Sequence, residues 1–211
     1  MIKIKDPVSG FSHLIGVILS IIGSYFLLIN AHNMAQIICF LIYGITAFIL
    51  YNASTLYHLF GKPASEISIL RKIDHASIYI LIAGSFTPFC FLVAKGILGS
   101  VILILVWVLA IIGTATVFIN SFWKYFPRWA STGLYVLMGW IAILLIYPMR
   151  IYPDMLLWVF IGGLFYTMGA IIYAIKKPNL FPGFGFHELF HIFVLLGTIS
   201  QFIAIYKILF I

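Results

Sequence analysis

Two histidines four residues apart, His187 and His191, open the last apolar stretch of this chain. On a helix that spacing puts both imidazoles on one face, a turn apart, where they can share one metal ion. A third imidazole closes an earlier apolar stretch in Ser54-Thr55-Leu56-Tyr57-His58, with Ser54 one turn from His58. Asp74 and His75 begin the next stretch. Neighbouring residues on a helix point about 100° apart. Asp74 shares its stripe with Ser77, Leu81 and Ser85, and His75 shares its own with Tyr79, Ile82 and Phe86, so Asp74 is expected to face the more polar side. His58, His187 and His191 together form the ligand set of an open catalytic zinc site. Three neutral ligands leave the charge of the ion uncompensated, and a water in the fourth position then has a pKa near ~7. Asp74 is expected to accept a hydrogen bond from that water as general base, and Ser54 to orient the shell. Beside a lipid leaflet, such a centre points to hydrolysis of a lipid amide or ester. No haem or cluster motif suggests redox chemistry.

Other polar residues carry competing readings. His187-Glu188-Leu189-Phe190-His191 matches the H-E-x-x-H pattern, which makes Glu188 the general base of an intramembrane metalloprotease if read literally. The 20 residues after His191 contain no Asp, Glu or His, so any further ligand comes from an earlier helix. His13 heads a stripe of Gly16, Ser20, Gly23 and Ser24, a small-residue packing face, and is expected to be a helix-contact residue with a supporting role at the metal as the alternative. Ser54 could instead bond its own helix backbone, and Asp74 could pair with Arg71 or His75. His75 is expected as an interfacial hydrogen-bonder and His32 as a solvated loop residue. Trp123, Tyr125 and Trp129 are expected as interfacial anchors.

The elements that must position these groups follow from composition. The chain is 64% hydrophobic and 8% charged, against about 25% charged in an ordinary soluble domain. Only a bilayer can solvate such a surface. Apolar runs fall at 10–30, 35–60, 73–94, 97–119, 130–149, 152–175 and 185–209, each close to the ~20 residues a spanning helix needs. The fold class is therefore an all-α integral membrane protein, a seven-transmembrane helix bundle forming one domain over 1–211. The first run is read as a retained helix, since no small-residue cleavage pattern interrupts it. Lys3, Lys5, Lys62, Arg71, Lys72, Lys124, Arg128, Lys176 and Lys177 lie toward one membrane face, and only Lys95, Arg150 and Lys207 toward the other. That imbalance predicts a cytoplasmic N-terminus and an outside C-terminus. The same topology puts His13, His58, His75, His187 and His191 at one level near the cytoplasmic face. Cys39 and Cys90 are expected to be packing thiols, and the net charge of +7 suits an anionic membrane better than nucleic acid.

At these residues the chain resembles the hemolysin III group of the progestin and adipoQ receptor family. The matching segments are Ser12-His13 with Gly16, Ser54-x-x-x-His58, and Lys72-Ile73-Asp74-His75-Ala76 through Ala83-Gly84-Ser85-Phe86-Thr87-Pro88. Gly185-Phe186-His187-Glu188-Leu189-Phe190-His191 completes them, and the likeness runs over essentially the whole chain. The resemblance implies seven helices, a cytoplasmic N-terminus and a zinc ion held by His58, His187 and His191. Asp74 would lie near the zinc-bound water, with Ser54 as the family serine. It also implies ceramidase-like hydrolysis, as in eukaryotic relatives, or a part in membrane-lipid homeostasis, as in bacterial ones. The short segment before the first run departs from the animal receptors, so signalling through cytosolic adaptors is not expected.

The expectation is thus a zinc-dependent hydrolase of a lipid amide or ester in a bacterial inner (plasma) membrane. Its partners would be membrane lipids and a lipid substrate at the inner leaflet, with no nucleic acid and no oligomeric state assigned. A non-enzymatic sensor or receptor is the alternative, followed by a pore-forming haemolysin, with the intramembrane metalloprotease as a minority reading.

Overall fold

A computed structural model of the chain describes residues 4–61, 68–119 and 127–211. Lys3, Lys62, Trp123, Lys124 and Tyr125 lie outside the described residues, as does the side chain of Arg128. Among the described residues, seven helices are long and apolar enough to cross a membrane. Their main α-helical segments are α1 (Pro7–Ile29), α2 (Met34–Phe60), α3 (Ile69–Pro88), α4 (Ile97–Phe118), α5 (Arg128–Trp140), α6 (Pro153–Ile175) and α7 (Phe186–Tyr206). Pro88 lacks an N–H to continue the regular ladder, and α3 runs on through a π-helical turn, Phe89–Val93. The fifth span is completed by a 3-10 stretch, Ile141–Leu145, and one α-turn, Ile146–Met149.

Local chemistry sets the helix starts. Pro7 occupies the first turn of α1, where its missing N–H costs nothing. The Asn33 side chain accepts from the Gln36 N–H at 2.9 Å, and that of Ser68 accepts from the Arg71 N–H at 3.4 Å. The Ser68 cap draws the start of α3 back to Ile69 from the expected 73, so Arg71 and Lys72 are buried in its first turn rather than in a connection. Of the most apolar window of α3, 61% is buried, against 17% for the fifth span, so α3 is central and α5 peripheral. Ile15, Ile18, Ile104, Ile111 and Leu157 point outward, a distribution suited to lipid and unsuited to water.

α1 packs on α2 and α7, α2 on α3, α3 on α4, and α5 and α7 on α6. A hydroxyl knot joins α2, α6 and α7. Tyr51 donates to Thr198 Oγ1 at 2.7 Å, and the Tyr166 hydroxyl lies 2.8 Å from the same oxygen. Gly16 lets the Tyr51 ring sit against α1, because a Cβ there would overlap the ring. Gly16→Val is therefore expected to destabilise the bundle by about 1–3 kcal/mol. Ile15→Val, at a lipid-facing neighbour, should stay within about 0.5 kcal/mol. Thermal unfolding in detergent compares the two.

Candidate metal centre

α2 descends to the end of the bundle where α1, α3 and α7 begin, so the close of one helix meets the first turns of three others. His58 lies in the last turns of α2, and His187 and His191 lie in the first two turns of α7. His58 and His191 are each 2% exposed. One ring nitrogen from each of the three histidines can be chosen so that all lie within 4.8 Å of one another. The ring centroids stand 5.1 Å apart for His58 and His187, 4.6 Å for His58 and His191, and 4.8 Å for His187 and His191. Nε2 of His191 is 3.3 Å from Nε2 of His187. Two nitrogens bound tetrahedrally at ordinary Zn–N lengths are about 3.3 Å apart, so this pair already has the spacing an ion requires. The donor set is all imidazole, which suits zinc and its borderline neighbours. These residues fit a bound divalent metal.

The nitrogens not aimed at the centre are handled unequally. Nδ1 of His58 bonds Oδ2 of Asp6 at 3.0 Å, leaving Nε2 for an ion. That hydrogen bond, opposed by partial burial and joined by the Lys5 ammonium at 3.1 Å, holds the Asp6 carboxyl down at about 2. Among the described residues, Nδ1 of His191 is buried without a hydrogen-bond partner. The His13 ring lies 3.9 Å from that of His191 and meets Tyr51 edge-on at 5.0 Å, with both of its own nitrogens buried and without a hydrogen-bond partner among the described residues. His13 is therefore part of the histidine cluster as well as a helix contact.

Asp74 is 7% exposed and stands outside the group of ligand atoms, but it lines the same cavity as the histidines. Its Oδ2 is 3.4 Å from Nδ1 of His75, and that ring also bonds the Arg71 carbonyl at 2.9 Å. Tyr135 donates to the His75 carbonyl at 3.1 Å, tying α5 to α3. Ser54 is buried on the cavity wall. Glu188 is committed elsewhere. Its Oε2 accepts the Gly185 N–H at 2.8 Å, which caps α7, and its Oε1 accepts from Ser9 at 3.2 Å. The literal zincin reading therefore has its carboxylate in a capping role. His32 is exposed, yet its Nε2 bonds the Leu209 carbonyl at 3.1 Å and so does more than meet solvent. Trp129 is exposed. Cys39 and Cys90 are buried free thiols.

Two features escaped sequence reasoning. One is Asp6, whose only signal is that it is one of five acidic residues, placed just before the first span. The other is a cavity of about 900 Å³ running inward from the histidines. Its deeper wall includes Phe86, Phe89, Leu156, Val159 and Phe160, with Asp74, Ser54 and the histidines at its head.

Comparison with known proteins agrees with this architecture. The family model described as Haemolysin-III related matches residues 1–202. The chain is 37% identical to the Hemolysin-3 homolog of Bacillus subtilis, over 97% of this chain and 95% of the relative. It is 35% identical to Hemolysin-3 of Bacillus cereus, over 95% and 90%. It is 27% identical to the human Monocyte to macrophage differentiation factor, over 95% and 82%. The seven apolar helices, the histidine cluster where they converge and these near full-length matches assign the chain to the haemolysin-III-related family, a multi-pass membrane group within the progestin and adipoQ receptors.

Proposed function

We propose that this protein is a zinc-dependent hydrolase that cleaves an amide or ester bond in a membrane lipid. The observation that carries the reading is the location of the three-histidine cluster at the head of a long, largely apolar cavity. A carboxylate and a hydroxyl share that head. An acyl chain would be solvated by the Phe and Leu side chains of the deeper wall, bringing the polar linkage to the histidine end. Bound zinc would supply a Lewis acid that polarises a carbonyl and acidifies water. His58, His187 and His191 would hold it. Asp74, which lines the same cavity without belonging to the three-histidine group, takes a proton from the attacking water and returns it to the leaving amine or alkoxide as the carbon–heteroatom bond breaks. Ser54 donates a hydrogen bond through its hydroxyl to an oxygen of the reacting group. Apolar walls keep other water away and so strengthen each of these interactions.

The histidine end is proposed to face the cytoplasm, in a plasma membrane. Lys5, Arg71, Lys72, Lys176 and Lys177 lie at that end, while Lys95, Arg150 and Lys207 lie at the other, and this distribution supports the assignment.

The test is turnover of a panel of lipid amides and esters by detergent-purified protein. Release of fatty acid should stop with a chelator and resume with added zinc. Saturable lipid binding without any turnover would favour a sensor. Vesicle leakage that persists in a variant lacking all three ligand histidines would favour the pore suggested by the names of the Bacillus relatives.

A further inference from the structure

The chain just before α1 is not a loose tail. It lies along the end of α2 and bonds carbonyls that the helix cannot satisfy itself. The last four carbonyls of a helix lack partners within it. Here the Asp6 N–H donates to His58 O at 2.9 Å and the Lys5 N–H to Leu59 O at 3.4 Å. Lys5 Nζ sits 3.5 Å above the centre of the Tyr57 ring. One turn further on, Ser9 donates to Glu188 at the start of α7. Asp6 is thus held by its own backbone to the residue whose ring its side chain meets. It bonds His58 twice, through main chain and through carboxylate.

The geometry points to Asp6 as the positioning residue of the metal centre: its carboxylate accepts the Nδ1 proton of His58 and so turns Nε2 toward the ion. This rests on the three-histidine metal reading. A carboxylate in that place fixes the imidazole tautomer, locks the ring's rotation and raises the basicity of the ligating nitrogen, and removing such a partner commonly weakens metal binding by about 10–100-fold. The same bond makes the metal centre depend on a segment outside the membrane. Displacing residues 4–6 would free the His58 ring without touching any ligand.

Zinc affinity of the full chain in detergent, measured by chelator competition at one pH, tests this. Asp6→Ala should bind zinc about 10–100-fold more weakly than wild type, with unchanged helical content. Asp6→Asn, which keeps an acceptor oxygen without the charge, should fall between the two, and Asp6→Glu should recover part of the loss. Lys5→Ala, which spares the bond to His58, should weaken zinc far less. A merely structural tether would lower the melting temperature of the metal-free protein in Asp6→Ala and leave its zinc affinity unchanged, overturning the inference. Should Asp6→Ala fail to fold, wild-type affinity in Asp6→Asn overturns it equally. A wild-type chain that holds no zinc removes the metal reading together with this inference. Zinc bound equally by wild type and the Asp6 variants removes this inference alone.

Discussion

Replacing His187 and His191 together by alanine should strip the protein of its metal while leaving seven helices in place. Elemental analysis of detergent-purified protein should find near-stoichiometric zinc in wild type and almost none in the variant. The size of the effect follows from the ligand count. The change removes two of three imidazoles, including the pair of nitrogens already 3.3 Å apart, and the single imidazole of His58 cannot chelate an ion. The helices do not depend on the site for their existence, because their backbone bonds are internal and obligatory in lipid. Circular dichroism should therefore be unchanged, although the melting temperature should fall, since an ion bound only to the folded form stabilises it by mass action. Wild-type zinc content in the variant would place the ion elsewhere. Absence of metal from wild-type protein purified without chelator would leave the cluster as polar contacts between helices.

Asp74→Asn is expected to reduce lipid hydrolysis by about 10²–10⁴-fold, the usual worth of a general acid–base group, with zinc content at the wild-type level. The amide has nearly the shape of the carboxylate and keeps an oxygen toward Nδ1 of His75, so packing around α3 should persist. It cannot take up a proton. Asp74 is not one of the three grouped histidine ligands, which is why metal binding and turnover should separate in this variant. Fatty-acid release and metal content, measured on one preparation, check both halves. Full activity in Asp74→Asn would move the proton-transfer role to another group. Simultaneous loss of zinc would make Asp74 a ligand. A sensor would keep its output in this variant and lose it when the cavity is blocked.

The two variants probe residues that were legible to different degrees. Spans, their number and the shared depth of the histidines could be read in advance because hydropathy, length and charge bias are local properties of the chain. The observed helices differ from the expected runs mainly at starts such as Ile69, where a Ser68 side chain rather than hydropathy decides. The His187–His191 pair was equally legible, since four residues on one helix fix the relative direction of two side chains whatever the helix packs against. Convergence of His58 on that pair was an inference from depth alone, because depth says nothing about how each helix is rotated about its axis.

Rotation and neighbourhood are tertiary properties, and they decided the rest. Glu188 belongs to a metalloprotease motif by its letters, yet the Gly185 N–H at the N-terminus of α7 donates to its carboxylate and α1 brings Ser9 to its other oxygen. His13 read as a packing residue by its small neighbours, and it meets His191 only because Gly16 lets α1 approach Tyr51 and the bundle closes there. Asp6 lies where no periodicity exists to be read, so its bond to His58 emerges only once the chain before α1 docks on the open carbonyls of α2. The sequence by itself determined a membrane bundle with histidines at one end, because bilayer solvation acts on each segment separately. Which of those polar groups face one another, and the cavity they face, was decided by helix packing, which couples residues far apart in the chain.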